Sequence, residues 1–185
     1  PESLLDEARR QKGLPDGDTP DICILDPDGD LVSHLVATER AEPDPTWPGY
    51  HTDLYRFSLD DEAVGIVGCA VGAPFAVLVA EQLFASGCEF LVSVTSSGQV
   101  VPKDDQPYFV LIERALRDEG TSHHYDAPGR YATLAPGLRE LVETACRSVS
   151  RPVYTGATWT TDAPFRETAA AIERARSEGI LAVEM

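Results

Sequence analysis

Two short segments carry residue types suited to gripping a small polar ligand. Gly68–Pro74 (GCAVGAP) is a run of small residues between an apolar stretch and a helical one. Such a loop gathers backbone N–H groups at a helix N-terminus, where the helix dipole favours an anion. The same small residues equally serve close packing of helix on strand. Ser93–Val100 (SVTSSGQV) follows the next apolar run. Thr95, Ser96 and Ser97 offer hydroxyls there, and Gly98 lets backbone approach a ligand closely. Ligands of open α/β sheets bind outside the carboxyl ends of strands, which is where this segment falls. A plain polar turn is the other reading of a Ser–Gly cluster.

Other chemistries are argued against by spacing. Asp26–Asp30 (DPDGD) has the look of a calcium loop, but Gly29 is not at the sixth position and the twelfth is Ala37 rather than Glu. A turn is expected instead. His123 and His124 are adjacent, so their side chains point apart, and no nearby Cys or His completes a metal site. No G-x-G-x-x-G follows a strand, which argues against a dinucleotide site. The four cysteines form no CxxC, and three lie in apolar runs. They read as buried thiols of a reducing compartment rather than as a disulfide frame.

The elements that must position these residues alternate in type. Glu2–Lys12 has helical spacing, with Leu4, Leu5 and Ala8 on one side, and Gly13–Asp21 reads as a linker. Asp21–Leu25 reads as a strand, Leu31–Arg40 as a helix, and the proline-rich Ala41–Gly49 as a loop. Ala63–Gly68 is an apolar strand, Phe75–Ser86 a helix with Pro74 near its first turn and Gly87 as its stop, and Glu89–Thr95 the next strand. Strand, helix and strand within that span make a βαβ unit with neighbouring parallel strands. Tyr108–Arg114 and Pro152–Trp159 read as strands. Pro136–Ser148 is an amphipathic helix with an apolar stripe of Leu138, Leu141, Val142 and Ala145. A further helix starts at Ala163–Pro164, capped by Asp162 and ended by Gly179, before a final strand, Ile180–Met185. The expected fold is α/β and three-layered: a mixed central β-sheet flanked by helices. Residues 1–20 form a helix and linker, and residues 21–185 form one domain.

Composition sets outer bounds. The chain has 185 residues, 25% charged and 43% hydrophobic, enough for one α/β domain with a core. Its net charge of −16, from 15 basic and 31 acidic side chains, argues against binding nucleic acid through a basic face. No apolar run approaches the ~20 residues of a membrane span. The charged start PESLLDEARRQKG has no secretory core, so a cytoplasmic protein is expected.

Several segments in order resemble the nucleoside phosphorylase / uridine phosphorylase superfamily. Its helix start, G-x-G-x-P-S-A, is met by Ala70–Ala76 (AVGAPFA), and its R-x-G-[TS]-x-G-[AS] by Ser93–Gln99 (SVTSSGQ). Ile22–Val32 (ICILDPDGDLV) looks like the family's first strand and phosphate turn. Arg114–Tyr125 (RALRDEGTSHHY) looks like the strand and loop ahead of its substrate-covering segment. Trp159–Met185 resembles the segment that closes over the base and reaches the ribose, where the family strand ends V-E-M-E.

The resemblance implies N-glycosidic chemistry on a purine or pyrimidine nucleoside, with phosphate as co-substrate and no metal or other cofactor. It implies a sugar and anion site at Gly72, Thr95, Ser96, Ser97, Gly98 and Met185, and base contacts from Trp159, Phe165 and Arg166. The aromatics equally suit a core, Arg166 a surface ion pair, and Asp162, at the family's S/T-x-D position, a helix cap. Glu184 precedes Met185 in a strand, so the two side chains point to opposite faces. The resemblance further implies a homo-oligomer, dimer or higher, in which His51 or His124 reaches a neighbouring subunit's pocket. Two departures stand out. Where the family's phosphate turn reads P-G-D-P-x-R, this chain has LDPDGD, and the second phosphate arginine falls at Ser93. Lost cations and added carboxylates disfavour phosphate, so water becomes a candidate nucleophile, with Arg40 or Arg56 as substitutes for the missing cations. The chain stops at Met185, where the family's ribose glutamate comes next, so the family's C-terminal part is expected to be absent. A catalytically silent nucleoside- or nucleotide-binding paralogue is the alternative.

Overall fold

The computed structural model describes every residue from Pro1 to Met185. The chain forms two compact units, residues 1–95 and 96–185. The first contains α1 (Glu2–Lys12), β1 (Ile22–Asp26), α2 (Asp30–Ala37), β2 (Ala41–Pro43), β3 (Leu54–Leu59), β4 (Glu62–Gly68), α3 (Ala73–Ala85) and β5 (Phe90–Ser93). Its sheet runs β2-β3-β4-β1-β5. Strand β1 pairs in parallel with both β4 and β5, so the βαβ unit β4-α3-β5 holds, but β1 lies between its two strands. Strands β2 and β3 continue the sheet antiparallel.

The apolar runs become the core. Cys23, Leu25, Leu54, Val67, Val79 and Leu83 pack into one buried cluster. Helix α1 buries Leu5 and Ala8, whereas Leu4, expected on the same side, is half exposed. Pro74 sits in the first turn of α3, and Gly87 takes φ +108° just past its end. Pro43 is a correction to the expected loop: it lies in β2, an edge strand, where its missing N–H costs no central ladder bond. All four cysteines are free thiols, with Cys23 and Cys88 buried but Cys69 exposed.

The second unit contains β6 (Gly98–Gln99), β7 (Phe109–Asp118), β8 (Tyr131–Thr133), α4 (Pro136–Cys146), β9 (Val153–Thr161), α5 (Ala169–Ser177) and β10 (Ile180–Glu184). Its sheet runs β6-β10-β9-β7-β8. The three central strands are parallel, and β6 and β8 are antiparallel edges. The α/β class with mixed sheets and flanking helices is as expected, its strands divided between two five-stranded sheets.

Two local expectations change. Helix α4 forms, but its apolar stripe is not buried: Leu138 and Leu141 are exposed and only Val142 and Cys146 are half-buried on that side. Helix α5 starts later than expected, because Pro164–Arg166 forms a separate 3-10 turn. Its cap is Thr168, whose hydroxyl accepts from the Ala171 amide. Asp162 instead accepts from the Gly120 amide at 2.9 Å. Thr168→Ala is therefore expected to lower stability by about 1 kcal/mol in urea titration and to speed exchange of the Ala171 amide. Asp162→Ala is expected to leave that amide unchanged.

Candidate functional site

In the first unit the carboxyl ends of β1, β4 and β5 carry the segments read as an anion site. Gly29 takes φ +77°, and a Cβ there would stand 2.6 Å from the Cys69 sulfur, so only glycine fits the turn. The Cys69 amide donates to the Asp26 carbonyl at 3.0 Å, and the Asp26 carboxylate accepts from the Val32 amide at 2.9 Å. These bonds hold two loops side by side at the strand ends. Gly72 takes φ +89° as the residue preceding α3, and its carbonyl accepts from Phe75 and Ala76. Thr95 donates to the Asp28 carboxylate at 3.5 Å, so this end of the sheet presents acid as well as hydroxyl.

The arginines considered as stand-ins for phosphate cations are not gathered here. Arg56 donates to Asp44 at 2.5 Å and to the Asp18 carbonyl at 2.5 Å. Asp44 is fully buried as a side chain and also accepts from Thr46, so this ion pair fastens a loop to β3. Arg40 lies exposed beyond α2. His51 is exposed in a loop at φ +63°.

In the second unit the parallel strands β7, β9 and β10 end at one edge. Arg117, Thr160 and Glu184 form one cross-strand row there, Arg117 opposite Thr160 and Thr160 opposite Glu184. Residues in register on parallel strands share a face. The Glu184 carboxylate accepts from Thr160 at 2.5 Å and Thr158 at 3.4 Å. Burial pushes its pKa above the usual carboxylate range; the two hydroxyls oppose that shift and the Glu119 charge adds to it. Met185 follows, half-buried. Gly98 pairs opposite Val183, and a Cβ there would meet the Val183 side chain at 2.9 Å. That pairing brings Ser96 and Ser97, both exposed, toward the end of β10.

The base-side candidates separate. Trp159 is buried among Val100, Ala157, Ile180 and Val183, and its indole N–H donates to Asp118 at 2.9 Å. It occupies the core and presents no open ring face. Phe165 is fully exposed, and Arg166 beside it is also exposed, both on the 3-10 turn after β9. His124 closes a second 3-10 turn, Ser122–His124, in the loop after β7, and is exposed. Ser96, Ser97 and Gly98 thus lie along the end of β10 that leads to Met185, Phe165 and Arg166 follow the carboxyl end of β9, and Gly72, Thr95 and His51 belong to the first unit. Sequence reasoning missed Arg117, Asp118, Glu119 and Thr160. The cluster Arg117–Asp118–Glu119–Gly120, charged residues followed by glycine at a strand's carboxyl end, was the signal available.

No cluster of three or more His, Cys, Asp and Glu side chains is placed to hold a metal. No helix is long and apolar enough to cross a membrane.

Parallel strands flanked by helices and ending in polar loops define an α/β protein. The sequence model of the phosphorylase superfamily matches residues 21–185, and the chain belongs to that superfamily. Among solved structures it resembles uridine phosphorylase from Vibrio fischeri ES114 complexed with 6-hydroxy-1-naphthoic acid. That match has a TM-score of 0.75 and 19% identity, covering 95% of this chain and 75% of that one. It also resembles purine nucleoside phosphorylase from Toxoplasma gondii in complex with immucillin-H, with a TM-score of 0.73 and 14% identity over 91% of this chain and 68% of that one. Likeness at these identities establishes the nucleoside phosphorylase fold. No curated protein matches the chain in sequence.

A carboxyl with a raised folded pKa stabilises the fold fully below its unfolded value, about 4.3. That contribution is lost as pH rises through the folded value. The stability of the wild type relative to Glu184→Gln is expected to fall as the pH is raised above about 4.3. Urea titrations of both proteins across that range measure it, and a flat difference contradicts the raised Glu184.

Proposed function

We propose that the protein binds a purine or pyrimidine nucleoside and cleaves its N-glycosidic bond, with water favoured over phosphate as nucleophile. The observation that carries this reading is the polar carboxyl edge of the β7-β9-β10 sheet, where β10 ends in Glu184 and Met185 and β9 runs on into the exposed Phe165–Arg166 turn. Breaking that bond builds positive charge on the sugar and negative charge on the departing base. The carboxylate of Glu184 suits the first. The planar fork of Arg166 suits carbonyl oxygens on the base, and Phe165 offers a stacking face. Gly98, Ser97, Ser96 and Met185 would contact the sugar.

The preference for water rests on charge. Asp28 lies beside Thr95, and Arg56 is engaged by buried Asp44, so the expected anion site gains acid without a free cation. On this reading no metal or organic cofactor takes part, and phosphate is at most a co-substrate. The working form is a homo-oligomer of two or more copies in the cytoplasm, with His51 and His124 reaching a neighbour's pocket. A second reading, nucleoside binding without turnover, is favoured by the burial of Trp159, which removes one of two expected stacking faces.

The test is base release from inosine, adenosine and uridine with and without phosphate. Release that is indifferent to phosphate supports the proposal, and release that rises steeply with phosphate overturns the choice of water. Thermal stabilisation by a nucleoside without release selects the second reading. Phe165→Ala is expected to raise KM about three- to tenfold through loss of stacking, with little change in folding because the ring is fully exposed.

A further inference from the structure

Arg117 is a nine-tenths buried arginine whose hydrogen bonds go almost wholly to one loop. Its Nε donates to the Ser122 hydroxyl at 2.7 Å, and its Nη1 to the carbonyls of Ala127 at 2.8 Å and Gly129 at 3.3 Å. The Ser122 hydroxyl in turn donates to Glu119. The other Glu119 oxygen accepts from the amides of Thr121 at 2.6 Å and Ser122 at 2.8 Å. Guanidinium, hydroxyl and carboxylate form a chain that folds residues 119–129 back over the end of β7.

Two features separate this from ordinary packing. The third nitrogen, Nη2, is buried with no protein acceptor, a costly condition that maximal stability would not select. The residue also stands in the row with Thr160 and Glu184 at the carboxyl edge. The loop it holds bears His124 and Tyr125, both exposed. We propose that Arg117 is a positioning residue: through Ser122 and Glu119 it sets the conformation of the 119–129 loop and so the shape of the ligand site. That last step rests on the nucleoside reading above. Only a planar guanidinium reaches a hydroxyl and two carbonyls at once; a lysine ammonium cannot reproduce that fork.

The test compares Arg117→Lys and Ser122→Ala with the wild type, the second variant guarding against a misfolded first. Hydrogen exchange is read at the Thr121 and Ser122 amides, and KM and kcat for base release from uridine and inosine. Exchange is expected to accelerate about tenfold in Arg117→Lys and less in Ser122→Ala, while the amides of β9 keep their rates. KM is expected to rise about tenfold with kcat within about twofold, because a misplaced loop weakens ground and transition states alike. Unchanged exchange in both folded variants overturns the clamp. Accelerated exchange with unchanged KM overturns its role in the site. A wild type that releases no base removes the nucleoside reading, and the exchange rates then decide the clamp alone.

Discussion

Three strands of the second unit run in the same direction, and the placement of every polar group discussed for that unit follows from it. Parallel pairing of β9 with β7 and β10 requires each return to be made by a crossover, supplied by α4 and α5. It also sends the carboxyl ends of all three strands to one edge. A shift of one residue in register would turn Glu184 and Thr160 to the other face and bring Trp159 and Val183 out of the core. The register is held from both faces: Ile180, Trp159 and Val183 are buried on one, and the Thr158–Thr160–Glu184 hydrogen bonds fix the other. At the edge, Gly98 is required because any side chain there would collide with Val183.

The two units treat buried charge differently. In the first, Asp44 and Arg56 satisfy each other and a loop, which is a structural use: breaking such a pair leaves an uncompensated buried carboxylate. In the second, charges at the strand ends are only partly satisfied. Glu184 has hydroxyls but no cation, and Arg117 has one nitrogen without an acceptor. Incomplete satisfaction is tolerated where the rest of the element is over-determined by packing, as β9 and β10 are, and it is the condition under which a ligand gains from binding.

Legibility in the sequence tracked how much of the signal was local. Strands β1, β4, β5, β9 and β10 are short apolar runs bounded by turn residues, and helices α1 and α3 have clear ends, so these were readable. Strands β3, β6 and β8 were not. Strand β3 joins β4 through Asp60 and Asp61, both at positive φ without the usual glycine, and β6 and β8 are only two and three residues long, defined by their partners. The α5 boundary was misplaced because Asp162 and Thr168 are both good caps, and only the 3-10 turn between them decides which is used. Trp159 looked equally suited to core or ligand, and that choice depends on Asp118, 41 positions away, which takes its N–H. Pairings at such distance carry no mark in a single sequence.

Charge accounting narrows how an anion could be held. The chain has 31 acidic and 15 basic side chains, so a site for phosphate would need arginines free of carboxylate partners. Arg56 is tied to Asp44, Arg130 to Glu178, and Arg139 to Glu113 and Glu143. Arg117 is buried and turned to its loop. Arg166 stands exposed on the 3-10 turn after β9, in the second unit rather than at the strand ends of the first. A water nucleophile needs only an acceptor for its proton, and carboxylates are abundant at both sets of strand ends. On the proposed reading, the same excess of acid that weakens a phosphate site suits a cationic, sugar-centred transition state.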